Sequence, residues 1–326
     1  MKKKEPLDAL RSRAIMIPSD PVSGKGAKTP FALTSPARGS TLDSKGNRMT
    51  TTSDWKRSAV VAGAFYPERP DELRALVKSF IEPSAPKTKA LGVLVPHAGY
   101  IYSGGCAGKT YSRVAIPSSA LVFGVNHRAL GAPPVSIWDR GSWDTPLGTV
   151  AIDELFSRQL VQRLPLVAPD RMAHTAEHSL EVQLPFLQVL KPGIRLIALS
   201  VRDISWDIIE TVAAGIASLI SGLPAAERPL LIASGDMSHQ VSADEAKRLD
   251  QYALDAMLEL DAQAFYESRF RYQIPMCAYA SGALMLETAK NLGATKATLV
   301  EWTHSGVRTR DNGSVVSYAG VIVEAN

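Results

Sequence analysis

Short, continuously apolar segments that alternate with helical patterns constrain the fold of this chain more than any other feature. Four such segments lie at residues 90–95, 120–125, 195–201 and 229–234. Apolar runs of this length, separated by amphipathic segments, are typical of parallel strands whose sheet is covered by helices on both faces. The sequence therefore predicts an α/β fold, with a mainly parallel or mixed central sheet covered on both faces.

The segments between these runs carry helical patterns. Residues 70–82 ("PDELRALVKSFIE") combine an amphipathic pattern with an initial proline, which is typical of a first helical turn. Further helices are predicted at 104–114, 153–164, 178–191, 211–223, 243–266 and 280–291, and further strands at 297–302 and 314–325. Because no linker interrupts this alternation, residues 55–326 are predicted to form one domain.

The first 54 residues differ in composition from the rest of the chain. They are rich in Lys, Ser, Thr, Gly and Pro and lack periodicity, which predicts a disordered leader. A start assigned in error upstream of Met49 is the alternative. The leader has ten basic and five acidic residues, whereas residues 55–326 have 26 basic and 27 acidic ones. The basic character therefore belongs to the leader, and no nucleic-acid-binding face is expected on the domain.

The chain carries no sign of export or membrane insertion. It has no apolar run long enough to span a bilayer, and no apolar signal segment follows its basic start. Its two cysteines, Cys106 and Cys277, do not suggest a secreted disulfide framework. The expected location is the cytoplasm, with no membrane partner.

Three of the four apolar runs lead into loops with ligand-type side chains. These are His97 after the first run, His127 after the second, and Asp236 and His239 after the fourth. In an open α/β sheet, ligands bind at the carboxyl ends of the strands, and parallel strands bring those ends to one edge. We therefore expect these loops to converge. The alternative is that they are loop or capping residues, with Asp236 capping the following helix.

Cys277 precedes the predicted helix at 280–291. A helix N-terminus lowers the pKa of a thiol and favours the thiolate, which binds soft metals and acts as a nucleophile. A buried, inert thiol is the alternative. Cys106 is interpreted as a small packing residue.

The segment "HTAEH", which contains His174 and His178, fits the H-x-x-E-H pattern of zinc peptidases. That chemistry needs both histidines on one helix. Pro169 and Asp170 upstream favour a helix that begins near residue 177, which leaves His174 in a loop. His178 is then expected to be a buried, hydrogen-bonded residue at the helix start.

The segment 103–110 ("SGGCAGKT") is one glycine short of a phosphate-binding P-loop. The preceding strand also ends too early, near residue 95, for such a loop. The glycines are therefore predicted to let a helix approach the sheet closely.

Several motifs occur together in an order that resembles the Memo family. They are "AGAFYP", "PHAGYIYSG", "GVNH", "EHSLEVQLPFL", "SGDMSH" and "CAYASGALML". The resemblance extends from about residue 60 to the C-terminus. This family is also known as protein B of the AmmeMemoRadiSam system, and it is similar in fold to the class III extradiol dioxygenases.

The resemblance implies a metal pocket. His97, His127 and Cys277 match the metal-ligand candidates of the family, and iron or copper is the implied metal. Asp236 and His239 match the Asp and His of the same pocket. Two imidazoles and a thiolate suit iron, copper or zinc better than magnesium or calcium.

This pocket favours a metal-dependent redox enzyme, dioxygenase-like, that acts on an unidentified small molecule or peptide. His178 or His239 is the expected proton shuttle, Asp236 is a further catalytic candidate, and Tyr102 is expected to orient the substrate. The alternatives are a non-catalytic pocket for a ligand or peptide, and a thiol hydrolase built on Cys277. The resemblance also implies AMMECR-type and radical-SAM proteins as partners.

Overall fold

The computed structural model describes residues 55–325, so the predicted leader lies outside the described residues. The strands are β1 (Lys56–Arg57), β2 (Ala90–Val95), β3 (Ser119–Val125), β4 (Val135–Trp138), β5 (Ser142–Thr145), β6 (Gly148–Ala151), β7 (Val167–Pro169), β8 (Arg195–Val201), β9 (Leu230–Ser234), β10 (His239–Val241), β11 (Lys296–His304) and β12 (Val315–Glu324). The helices are α1 (Pro70–Phe80), α2 (Tyr100–Ser112), α3 (Glu154–Arg163), α4 (Met172–Thr175), α5 (Leu184–Leu190), α6 (Trp206–Ser221), α7 (Ala243–Leu258), α8 (Ala262–Arg271), α9 (Ala278–Asn291) and α10 (Gly306–Thr309). Two 3-10 turns lie at Glu181–Gln183 and Ala225–Glu227.

Nine strands of the described residues form the main sheet, in the order β10, β12, β2, β9, β3, β8, β4 and β7, with β11 also paired to β12. The central strands β2, β9, β3 and β8 are parallel. Strands β12 and β4 run antiparallel to β2 and β8, on either side of that centre. Strands β1, β5 and β6 form a small second sheet. The predicted fold class, an α/β domain with a mixed central sheet, is confirmed.

Both faces of the main sheet are buried, and successive residues of a central strand alternate between them. In β2, Leu94 packs on the face covered by α3 and α6 to α9, whereas Val93 and Val95 pack on the face covered by α1, α2 and α5. Burying a side chain of this size contributes about 1.5–3 kcal/mol. Since both faces are covered, the central strands are mostly apolar.

The long helix predicted at 243–266 is wrong, because the structure has two helices, α7 and α8, with a tight turn between them. Leu260 takes a left-handed φ of 60° in this turn. Asp261 then caps α8, and its side chain accepts a hydrogen bond from the Ala264 N–H at 2.9 Å. No glycine or proline marks the break, so the helical pattern runs through it unchanged.

The helix predicted at 178–191 begins later, at Leu184, and follows a 3-10 turn. Pro185 suits this first turn, because an N–H group in the first turn of a helix has no acceptor within the helix, so the N–H that proline lacks is not needed there. His178 therefore lies outside the helix. Among the helices of residues 55–325, none is both long enough and apolar enough to cross a membrane.

Helix α2 contains the segment that resembles a P-loop. Lys109 and Thr110 lie in its second half, where Lys109 pairs with Glu301 and the Thr110 hydroxyl donates to the Cys106 carbonyl at 2.8 Å. A continuous helix occupies the place where the loop would have to be. The segment therefore does not form a phosphate-binding loop.

The glycines of α2 do not act as predicted. A Cβ atom on Gly104 or Gly108 would collide with Phe80, at the end of α1. These glycines therefore seat α2 against α1, and not against the sheet. The close approach of α2 to the sheet depends instead on Gly320 of β12, where a Cβ would collide with Thr110.

Candidate metal centre

Four ligand-type side chains meet at the carboxyl edge of the parallel strands. His97 follows β2, His127 follows β3 and Asp236 follows β9, while Cys277 is the N-cap of α9. One ligand atom from each of His97, His127 and Cys277 lies within 4.8 Å of the other two. The expected convergence of the loops is present, and Cys277 joins it because α9 packs against β9.

His97 is the most deeply buried of these three, with 2% of its surface exposed. Its Nε2 lies 3.3 Å from Cys277 Sγ, and its backbone N–H donates to Asp236 Oδ1 at 2.8 Å. Its Nδ1 lies 3.3 Å from the hydroxyl of Ser234. Burial lowers the pKa of His97 well below its ordinary value, so the ring is neutral and has a lone pair to donate.

His127 is more exposed and is held by Glu177. Its Nδ1 lies 2.9 Å from Glu177 Oε1, and its backbone N–H donates to Oε2 at 2.9 Å. Burial alone would raise the pKa of Glu177, but the hydrogen bonds that it accepts from the His127 ring and the Ser179 N–H lower it far below its ordinary range. An ionised carboxylate only accepts hydrogen bonds, so His127 donates Nδ1–H and keeps Nε2 free for a metal.

Glu177 forms a second group of ligand-type side chains with His127 and His178, whose ligand atoms lie within 4.8 Å of one another. Its Oε1 also accepts the backbone N–H groups of His178 and Ser179, at 2.9 and 2.8 Å. These bonds are all made to Oε1, and among the described residues Oε2 accepts only the His127 N–H, so the carboxylate is mainly the acceptor that holds this loop. In the sequence, Glu177 stands out only as the glutamate of the H-x-x-E-H pattern, because its contacts with His127 form only in the folded chain.

His178 lies beside two of the ligand candidates, His97 and His127, and His239 follows Asp236 at the start of β10. The His178 ring stacks on His127, with centroids 4.7 Å apart and planes tilted by 18°, and lies 4.8 Å from the Phe65 ring. His239 begins β10, and its buried Nε2 has no hydrogen-bond partner within the described part of the chain. Burial lowers the pKa of each histidine to about 4, so both rings are neutral proton acceptors at pH 7.

Asp236 and Cys277 lie next to each other beneath His97. The Asp236 N–H donates to Cys277 Sγ at 3.1 Å, and Asp236 Oδ2 lies 4.0 Å from His97 Nε2. Burial raises the pKa of Asp236 to about 7. Ser242, not Asp236, caps the following helix α7.

The expectation that a helix N-terminus favours the thiolate of Cys277 is wrong for the metal-free protein. Burial, reinforced by the nearby charge of Asp236, raises the pKa of the Cys277 thiol well above its ordinary value. The sequence places Cys277 at a helix start correctly, but it does not show that the thiol is half-buried and lies beside Asp236. In the absence of a metal, the thiol therefore keeps its proton.

Comparison with known proteins gives the family of this chain. A family model described as Memo-like protein matches residues 57–322. The chain belongs to the Memo family. A MEMO1 family protein of Aquifex aeolicus is 39% identical over 270 residues, which cover 82% of this chain and 98% of that protein. A MEMO1 family protein of Methanosarcina acetivorans is 36% identical over 271 residues, and these cover 82% and 99% of the two chains.

In this Memo-family protein, a buried ion pair ties the start of the domain to the loop that carries Glu177. Arg57 Nη1 lies 2.7 Å from Glu181 Oε2, and the two side chains are 2% and 0% exposed. Arg57 also donates to the carbonyls of His174 and Glu177, while Glu181 accepts from the Tyr66 hydroxyl at 2.5 Å. The sequence does not reveal this pair, because its two residues are 124 positions apart along the chain.

Two candidate residues, His174 and Tyr102, make no side-chain hydrogen bond to the ligand group of this Memo-family protein within residues 55–325. His174 is buried in α4, not in a loop; its Nε2 lies 3.2 Å from a backbone carbonyl, and its ring packs against Trp138 and Trp143. It shares no helix with His178, so the peptidase arrangement does not form. Tyr102 is half-buried in the first turn of α2, and its hydroxyl makes no hydrogen bond within residues 55–325.

The donor set of this Memo-family site fits a first-row transition metal better than a hard cation such as magnesium. A tetrahedral metal with a sulfur at about 2.3 Å and a nitrogen at about 2.0–2.1 Å holds those two atoms about 3.5 Å apart. The His97 Nε2 and Cys277 Sγ atoms are separated by 3.3 Å. If all three side chains bound a metal, a position would be left for a further ligand, as in catalytic metal sites.

Proposed function

We propose that this Memo-family protein binds iron or copper through His97, His127 and Cys277 and acts as a dioxygenase-like redox enzyme on a small molecule or peptide. The observation that carries the proposal is the convergence of two imidazole nitrogens and one sulfur, from three separate elements, within 4.8 Å. The metal, when bound, would supply the electron-transfer and oxygen chemistry that protein side chains lack.

In this proposal, the residues around the cluster hold and move protons. His178 and His239 are neutral at pH 7, and each can accept a proton from a substrate hydroxyl. Asp236, with a pKa of about 7, can hold a proton or release it in the same range. Tyr102 is assigned the role of orienting the substrate through its hydroxyl, which has no other partner within residues 55–325.

Metal analysis of protein purified anaerobically without added metal tests the proposal. The variants to compare are His97→Ala and, as a matched control, His304→Ala, which changes a histidine of β11 outside the ligand group. We expect iron or copper in the wild type and in the control, and a loss of that metal from His97→Ala. Equal metal content in wild type and His97→Ala would rule the site out.

Oxygen consumption with catechol-like compounds separates the redox enzyme from a pocket that only binds a ligand. A redox enzyme consumes oxygen with a substrate in the metal-loaded wild type and not after chelation. If a ligand binds equally well before and after chelation, without oxygen uptake, the non-catalytic pocket is the correct account. The proposed partners, AMMECR-type and radical-SAM proteins, are tested by co-purification with the full chain.

A further inference from the structure

Ser234 and Gln183 lie behind His97, on the side away from Cys277. Ser234 is the last residue of β9, Gln183 ends a 3-10 turn, and both are almost fully buried. The Gln183 Nε2 group donates to the Pro96 carbonyl at 2.9 Å and to the Ser234 hydroxyl oxygen at 2.8 Å. The two residues thus connect the loop that carries His97 to the neighbouring strand.

The orientation of the Gln183 amide is fixed by its partners. Its Oε1 accepts from the Tyr111 hydroxyl at 2.9 Å, while its Nε2 faces the Pro96 carbonyl. Rotating the amide by half a turn would place its oxygen against that carbonyl, and neither oxygen has a proton to share. Gln183 therefore donates to Ser234 in the only arrangement that satisfies all of its partners.

The direction of every proton around Ser234 follows from this. The single hydroxyl proton of Ser234 goes to the carbonyl of Ser179, at 2.6 Å. The Ser234 oxygen accepts a hydrogen bond from Gln183 and has one more lone pair. This oxygen lies 3.3 Å from His97 Nδ1. Because the only proton of the Ser234 hydroxyl is donated to Ser179, Ser234 can form a hydrogen bond with the His97 ring only as the acceptor. The ring proton of His97 must therefore be on Nδ1.

We propose that Ser234, supported by Gln183 and by the Ser179 carbonyl, is a positioning residue that holds His97 in the Nδ1–H tautomer, so that its Nε2 lone pair faces Cys277. The importance of this role for metal binding rests on the proposed function, whereas the tautomer itself does not. The two histidines of the ligand group are then held by different partners, a neutral hydroxyl behind His97 and a carboxylate behind His127. Such partners fix the tautomer and ring orientation of metal-binding histidines.

The tautomer can be read directly from the metal-free protein by long-range proton–nitrogen NMR of a sample with ¹⁵N-labelled histidine. The chain has only six histidines, and the His97 signals are identified by their absence from His97→Gln. We expect a protonated Nδ1 and an unprotonated Nε2 in the wild type. A wild-type His97 with its proton on Nε2 would overturn the proposal, whatever the variants do.

The variants Ser234→Ala and Gln183→Glu test the chain of hydrogen bonds from Gln183 through Ser234 to His97, which we call the relay. Ser234→Ala removes the acceptor, and Gln183→Glu replaces the amide donor with an acceptor of the same shape. We expect His97 to shift towards the Nε2–H tautomer in Ser234→Ala, and its Co²⁺ affinity to fall by roughly 10–100-fold in competition titrations. Gln183→Glu should keep the Nδ1–H tautomer, because the single Ser234 proton then goes to the new carboxyl group or to the Ser179 carbonyl, and the Ser234 oxygen still accepts from His97. Ser200→Ala, which changes an equally buried serine on β8, should alter neither quantity.

The two readouts separate this proposal from the proposed function. If the wild type has the Nδ1–H tautomer but binds no metal, the relay is correct and the metal site is wrong. If Co²⁺ binds through His97 but Ser234→Ala keeps both the tautomer and the affinity of the wild type, the metal site stands and the relay is wrong.

Discussion

Each histidine of the ligand group has its Nδ1 occupied by a hydrogen-bond partner, Ser234 for His97 and Glu177 for His127. The sequence indicated the ligands themselves, because His97 and His127 follow apolar strands. It did not indicate the partners, which are distant along the chain and become visible only once the strands are paired. Their assigned roles as metal ligands remain predictions that the experiments above test.

Replacing Glu177 with glutamine tests its role behind His127. Glu177→Gln keeps the shape of the side chain but offers one acceptor oxygen in place of two, so His127 and the backbone N–H groups must compete for it. We expect Co²⁺ affinity to fall by about 10–100-fold, measured by competition with a chelating dye. Glu301→Gln, which breaks the distant ion pair with Lys109, is the control. Unchanged affinity in Glu177→Gln would contradict the assignment.

His174 makes the stability of the protein sensitive to acid. Burial lowers the pKa of His174 from 6.5 to about 3 in the folded state. Below pH 6.5, His174 is therefore protonated in the unfolded chain but stays neutral in the folded chain. Stability is therefore lost as the pH falls from 6.5 towards 3, by on the order of 1 kcal/mol per pH unit for this proton. Urea unfolding of His174→Gln should show a shallower loss over that range. Identical slopes for variant and wild type would refute this.

At the scale of secondary-structure elements, the sequence predicts best where the local pattern and the tertiary environment agree. The central strands are apolar because both of their faces are buried, so their runs are visible in the sequence. Strands β5 and β6 are short and consist mostly of polar or small residues, so no apolar or alternating pattern in the sequence predicts them. The direction of β12 beside β2 depends on pairing between distant segments, which local periodicity does not encode.

Helix α2 offers a test of how its glycines pack. In Gly108→Ala the new methyl group would meet the backbone and side chain of Phe80, so we expect a loss of about 1–3 kcal/mol in the free energy of unfolding. Gly105 has open space around its Cβ position, so Gly105→Ala should stabilise the helix by about 0.5–1 kcal/mol. Urea unfolding of both variants measures the difference. Equal effects would mean that α1 and α2 do not pack as described.

At the scale of the whole molecule, the buried pair of Arg57 and Glu181 joins the start of the domain to the edge of the sheet where the site lies. Removing one partner leaves the other charge buried and unpaired. Arg57→Met should therefore lower the free energy of unfolding by about 3–5 kcal/mol. The double variant with Glu181→Gln should lose less than the sum of the two single variants.

The control for this cycle is an exposed ion pair elsewhere on the molecule. Arg248 and Glu245 pair at 2.7 Å on the surface of α7. Arg248→Met should leave the stability nearly unchanged, since solvent screens both charges. If Arg57→Met and Arg248→Met have equal effects, the Arg57 pair does not tie the domain together as proposed.

The central claim is that His97, His127 and Cys277 bind one metal ion. Anomalous diffraction from crystals of anaerobically prepared protein incubated with ferrous iron tests this most directly. The account predicts a single iron peak in contact with His97 Nε2, His127 Nε2 and Cys277 Sγ, and no such peak in Cys277→Ala. An iron peak bound by other residues, or none in the wild type, would contradict it.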